Sequence, residues 1–151
     1  GCLDLPGGLR ALRERHRLTL YRRSAPPPPL ALHLGTQRWG DWTVRVEEVR
    51  GDDGASGPNA LVLAAEAARD GLTIAPWDGT GRLAVANGSR TIKRLLADHG
   101  VPAAWREDCP VLYAAGRPVA VFGGAVDVNC RPRDREAGLR ISLERTGEET
   151  R

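Results

Sequence analysis

Between residues 9 and 22 the chain alternates: Leu18 and Leu20 are separated by Arg17, Thr19 and Tyr21. A period of two places successive side chains on opposite faces of a strand. With the turn residues Leu5-Pro6-Gly7-Gly8 before it, the stretch 9–22 predicts a pair of strands. The same alternation returns at Leu30, Leu32 and Leu34, and again at Trp42, Val44 and Val46. Gly35-Thr36 supplies a turn between them, so a second antiparallel pair is predicted there. The Ala-rich stretch 60–68 fits a strand or a short helix, and its composition leaves both open. Over 89–100 the period changes. Ile92, Leu95, Leu96 and His99 fall on one helical face, with Ser89 placed to cap the start and Gly100 placed just past the end. Arg90, Lys93, Arg94 and Ala97 occupy the opposite face. Val111-Leu112-Tyr113 and Val119-Ala120-Val121-Phe122 read as apolar strands joined by Ala114-Ala115-Gly116-Arg117 and closed by Gly123-Gly124. Leu139, Ile141 and Leu143 alternate once more, predicting an edge strand before a disordered end.

Turn and loop chemistry divides these elements. Ser24-Ala25-Pro26-Pro27-Pro28-Pro29 must be extended, because consecutive prolines fix φ and remove backbone donors. It reads as a stiff spacer, although ligands of proline-recognition modules have the same composition. Residues 51–59 are polar and Gly-rich, hence an exposed loop. Residues 102–109 predict a short turn or helix around Trp105, ended by Pro110. The organisation expected is a strand-rich opening segment (1–23), a spacer (24–29), an antiparallel β segment (30–70), a domain over 71–130 and a charged tail (131–151).

Composition limits the function. In 151 residues, 41% hydrophobic, no run of about 18 apolar residues exists, so no membrane-spanning helix is expected. The start, Gly1-Cys2-Leu3-Asp4-Leu5-Pro6, has neither Met nor a signal-peptide layout, and the chain reads as a piece of a longer protein. Cys2, Cys109 and Cys130 are odd in number and far apart, without metal-ligand spacing, which fits ordinary thiols in a reducing, cytoplasmic compartment. The net charge of +3 is a weak pointer to a polyanion; its distribution says more. One basic zone holds Arg10, Arg13, Arg15, Arg17, Arg22 and Arg23, and a second holds Arg82, Arg90, Lys93, Arg94 and Arg106. Lys93 is the sole lysine, and a GC-rich coding sequence would also yield such arginine usage.

No enzyme chemistry can be assembled from neighbouring motifs. His16, His33 and His99 form no triad, and Asp52-Asp53 and Glu47-Glu48 are adjacent carboxylates that point apart on extended chain. Trp77 and Trp105 suit core packing better than base stacking. Arg106 and Asp108 can form a local ion pair, Arg82 in its Gly-rich turn is open to either a structural or a binding role, and Gly81 serves backbone geometry.

From residue 72 to 124 the motifs follow a fixed order. It comprises Leu72-Thr73-Ile74, the turn Gly81-Arg82, Gly88, the helix Ile92-Lys93-Arg94-Leu95-Leu96, Val101-Pro102, Trp105-Arg106, Asp108, Pro110-Val111-Leu112 and Gly123. This series resembles the carboxy-terminal domain of tRNA(Ile)-lysidine synthases, and Leu5-Pro6-Gly7-Gly8-Leu9-Arg10 is similar to the strand that precedes that domain. Departures stand at Thr80, where the family has Asp, and at Ala75, where it commonly has Arg. The resemblance implies an α+β fold, with a small antiparallel β-rich lobe followed by a three-layer β/β/α domain of the kind shared with the phenylalanyl-tRNA synthetase β-subunit. It also implies a parent ligase that uses ATP, with magnesium, to attach lysine to the wobble cytidine of tRNA(Ile). The family's catalytic loop, Ser-Gly-Gly-x-Asp-Ser, which holds pyrophosphate on backbone amides, is absent from this chain. The segment is therefore expected to dock tRNA(Ile), to carry no cofactor and to be inactive alone, its partner being the catalytic PP-loop domain of the same protein. Arg82, Arg90, Lys93, Arg94 and Arg106 are the expected RNA-binding residues. The competing expectation is a non-catalytic structural or oligomerisation module, with a homodimer left open and no direct RNA contact.

Overall fold

The computed structural model describes residues 2–5, 9–14, 17–22, 26–51, 59–101, 106, 109–123 and 125–145. Ser24 and Ala25 of the spacer, most of the loop 51–59, Trp105, Asp108, Gly124 and residues 146–151 lie outside them. Near the start, β1 (Cys2–Leu5), β2 (Leu9–Glu14) and β3 (Arg17–Arg22) form an antiparallel sheet in chain order. β2 and β3 are the strand pair that alternation predicts, with Leu12 opposite Thr19.

The four prolines lead into β4 (Leu30–Leu32), and here the predicted pairing is corrected. Leu30 lies opposite Ile74 of β8 (Leu72–Pro76), not opposite the Trp42–Val46 stretch. Gly35-Thr36 is not the turn but the start of β5 (Gly35–Trp39), which pairs with β6 (Trp42–Arg50) around Gly40-Asp41. Alternation fixes which face a residue takes, not which strand lies beside it. The chain changes sheet between Leu32 and Gly35, and Gly35 has φ +109°. The prolines are held against the hairpin: Trp39 Nε1 donates to the Pro28 carbonyl at 2.8 Å.

Residues 60–68 use both alternatives. They form β7 (Ala60–Ala64), buried at every position, and then a 3-10 turn (Ala65–Ala68). Next come β9 (Arg82–Val85), β10 (Gly88–Thr91), α1 (Ile92–Asp98), β11 (Pro110–Ala114), β12 (Arg117–Val121), a 3-10 turn (Val128–Cys130) and β13 (Ala137–Arg145). The helix begins later than predicted. Ser89 belongs to β10, and Thr91 caps α1, its hydroxyl accepting from Arg94 N at 3.1 Å. Gly100 takes φ +73° beyond the helix, as its position predicts.

Two four-stranded antiparallel sheets dominate, in the orders β12-β11-β8-β4 and β5-β6-β13-β7, with β9-β10 as a separate hairpin. One apolar core joins the sheets, using Val44, Leu63 and Ile141 from one and Ile74, Leu112 and Phe122 from the other. A second core lies where Val111 and Val121 meet Leu83 of β9 and Ile92, Leu95 and Leu96 of α1. The result is mostly antiparallel sheet with one described helix, an α+β fold. β13 corrects the expectation of an edge strand and charged tail. It is an interior strand, with Ile141 opposite both Val46 and Leu61. Arg140 and Glu144, on the face away from Ile141 and Leu143, make the segment look like a charged end, because an amphipathic strand has one charged face wherever it sits in a sheet. Both sheets interleave segments from either side of residue 70.

Candidate nucleic-acid interface

The basic zone over 82–94 is a β-hairpin running into a helix, and its shape depends on the turn before it. Trp77 Nε1 donates to the Thr80 carbonyl at 2.8 Å, while Thr80 donates to Asp78 Oδ1 from its amide at 2.9 Å and from its hydroxyl at 2.7 Å. Those hydrogen bonds, the hydroxyl first, lower the Asp78 pKa. Trp77 also packs against the helix-side core, so it works as a packing residue. Gly81 is required twice over. Its φ is +103°, and a Cβ there would stand 3.0 Å from Ile92 Cδ1 and 3.3 Å from Pro118 Cγ. The Gly81 carbonyl accepts from Ile92 N at 2.9 Å, which ties the hairpin's base to the start of α1.

On this frame Arg82, Arg90 and Arg94 converge. Together with Val85, Ala86, Asn87, Ser89 and Thr91 they line an open groove of about 640 Å³. Arg82 stands opposite Thr91 and reaches the diagonal neighbour Ser89, donating from Nε to Ser89 Oγ at 3.0 Å and from Nη2 to the Ser89 carbonyl at 3.3 Å. Arg90 crosses to the helix, where its Nη1 meets Asp98 Oδ2 at 3.1 Å. Arg94 Nε meets Asp98 Oδ1 at 3.2 Å, one helical turn away. One carboxylate thus holds two guanidinium groups side by side, each with further N–H donors turned to other directions.

The expected site residues therefore separate into three kinds. Arg82, Arg90 and Arg94 share the groove; Lys93 is exposed on α1 without a hydrogen-bond or ion-pair partner among the described residues. Arg106 is placed elsewhere: its Nε donates to the Val101 carbonyl at 2.7 Å, bracing the chain after α1. Its proposed pairing with Asp108 lies outside the described residues. The sequence pattern gives no role to Asp98 and makes Ser89 a helix cap rather than a partner of Arg82. The Arg94–Asp98 spacing of four was visible as an ion-pair signal on a helix, whereas Arg90–Asp98 and Arg82–Ser89 require the hairpin to be folded. His99, expected on the packed face, is exposed and takes part in a 2.8 Å Nδ1 contact with the Leu95 carbonyl.

The Cys109 thiol is not a reactive centre. Cys109 is buried, its thiol donates to the Phe122 carbonyl at 3.2 Å, and burial pushes its pKa up to about 11. A neutral buried thiol is a poor nucleophile. Among the described residues no cluster of three His, Cys, Asp or Glu side chains could hold a metal.

Fold and surface thus define a small, mostly antiparallel β-rich domain that presents a cationic groove on a hairpin and helix. Residues 72–143 match the family model described as the TilS substrate C-terminal domain. The match runs past the ordered motifs of 72–124 to take in most of β13. A crystal structure of a TILS C-terminal domain superposes with a TM-score of 0.57 at 16% identity, covering 81% of this chain and 95% of that one. At such identity the likeness concerns the fold. Among curated proteins, none matches the chain.

Proposed function

We propose that this chain is the tRNA-docking carboxy-terminal region of a tRNA(Ile)-lysidine synthase, working in the cytoplasm beside a catalytic PP-loop domain of the same protein. That partner binds ATP and magnesium and carries out the ligation; this segment holds the RNA. The observation that carries the reading is the convergence of Arg82, Arg90 and Arg94 on one open groove, with Lys93 beside it. Guanidinium and ammonium groups held on a fixed frame displace condensed counterions from an RNA backbone, and this provides most of the affinity that does not depend on sequence. The apolar cores on both sides of the β12-β11-β8-β4 sheet support reading the fold as β/β/α layers of the kind found in the phenylalanyl-tRNA synthetase β-subunit.

The second reading is a structural or oligomerisation module. The ion pairs of Arg90 and Arg94 with Asp98 favour it, since they give both arginines a task within the fold. Reversing Lys93 and Arg94 to Glu separates the two. If the groove docks tRNA, affinity collapses while the melting temperature stays within a few degrees; if the module is structural, affinity is untouched and stability or self-association changes.

A further inference from the structure

The β9–β10 hairpin has a second flank. On the edge of β9 away from β10, Ala84 N donates to Asp127 Oδ2 at 3.0 Å, and the 3-10 turn Val128–Cys130 packs beside β9. This turn delivers Arg131 directly after Cys130, and Arg133 and Arg135 follow at alternate positions. Arg117, at the start of β12, is near enough to Cys130 for its charge to be felt there. Burial, and then the Asp127 carboxylate, raise the Cys130 pKa, while Arg117 opposes them. Arg117, Arg131, Arg133 and Arg135 are all exposed, and their side chains have no hydrogen-bond or ion-pair partner among the described residues.

Their backbone is fixed. Glu136 N donates to the Arg133 carbonyl at 3.0 Å, and Gly51 N donates to the Glu136 carbonyl at 2.6 Å. Arg135 sits at φ +62°, and any Cβ on Gly51 would come within 3.0 Å of Arg135 N. A left-handed arginine is strained and persists only where its surroundings over-determine it. The intervening carboxylates offset part of the charge and leave the arginines in excess. Asp127, Asp134 and Glu136 are three acids against the four arginines; Asp127 accepts from the amides of Ala84 and Asn129, and Asp134 is the exposed acid of this loop.

We propose that Arg117, Arg131 and Arg133 form a second phosphate-contacting ridge, across the β9–β10 hairpin from the groove, so that the two flanks engage the two strands of one RNA duplex. Single-strand binders need aromatic platforms on which bases stack. The exposed large apolar side chains among the described residues are Leu34 and Val128, neither aromatic, and Trp77 is half-buried with its indole N–H engaged. Two cationic lines, with no exposed aromatic side chain among the described residues, suit duplex RNA, which is recognised through its shape and phosphates. This inference rests on the tRNA-docking reading above.

The test measures binding of the full chain to a short RNA stem-loop and to a single strand of equal length, as a function of salt. R131E/R133E is compared with R82E/R94E, and R131A/R133A guards against damage from introduced acids. We expect the stem-loop to be preferred, each reversed pair to lose at least about tenfold in affinity, and the salt slope to fall by about one for each contact removed. If R82E/R94E weakens binding while both variants of Arg131 and Arg133 bind as the parent does, the second ridge is wrong and the docking function stands. If the parent chain binds neither RNA at low salt, the docking function falls and takes the ridge with it.

Discussion

The two faces of the β12-β11-β8-β4 sheet do different work. One lies against the second sheet through Ile74, Leu112 and Phe122, part of a core whose opposing members Val44 and Ile141 have no exposed surface. The other carries α1 and the β9–β10 hairpin, which bury only Leu83, Ile92, Leu95 and Leu96 inward and turn Arg82, Arg90, Lys93 and Arg94 outward. Burial contributes roughly 1.5–3 kcal/mol for each large apolar side chain. An exposed ion pair contributes about 0–1 kcal/mol. Stability is thus concentrated between the sheets, and the charged face is left available for a ligand at little cost to the fold.

That division can be broken most forcefully at β13. Ile141→Ala should cost about 2–5 kcal/mol, since a fully buried side chain leaves a cavity beside Val46 and Leu61. Chemical denaturation measures the loss, and the fraction still folded should bind RNA as the parent does. The buried thiol gives a pH version of the same test. With Cys109 pushed up to about 11 when folded against 9.0 otherwise, the folded state retains its proton longer than the unfolded one. Stability should therefore be intact below about pH 9 and decline as pH rises towards 11, and Cys109→Ala should flatten that decline.

On the charged face the effects reverse. R82E/R94E should weaken RNA binding at least about tenfold in an anisotropy titration while the denaturation midpoint barely moves. Thr91→Ala should cost about 1 kcal/mol by removing the hydroxyl that caps α1. Asp98→Asn should be the mildest. Its partners Arg90 and Arg94 have 50% and 68% of their side-chain surface exposed, so solvent screens both pairs and stability should fall by less than about 1 kcal/mol. RNA affinity should rise, because a carboxylate no longer stands among the groove's cations.

The same contrast explains what could be read from the chain. The helix core Ile92-Leu95-Leu96 and the strand pair β2–β3 were legible because their periodicity is local. Arg82, Arg90 and Arg94 were legible as candidates through the ordered motifs around them. What escaped depends on pairing between distant segments. Leu30–Leu32 crosses to β8, β13 enters between β6 and β7, and Arg90 reaches a carboxylate eight residues away. Alternation cannot name a strand's neighbour, and charge counting cannot show that Asp98 already bridges two of the arginines.

The central claim is that the groove of Arg82, Arg90 and Arg94 docks the tRNA backbone, and titrating tRNA(Ile) against the chain over a range of salt concentrations tests it most directly. The account predicts that the logarithm of the affinity falls linearly with the logarithm of salt and that R82E/R94E lowers both the affinity and the slope. Binding that ignores salt, or a slope unchanged in R82E/R94E, would contradict it.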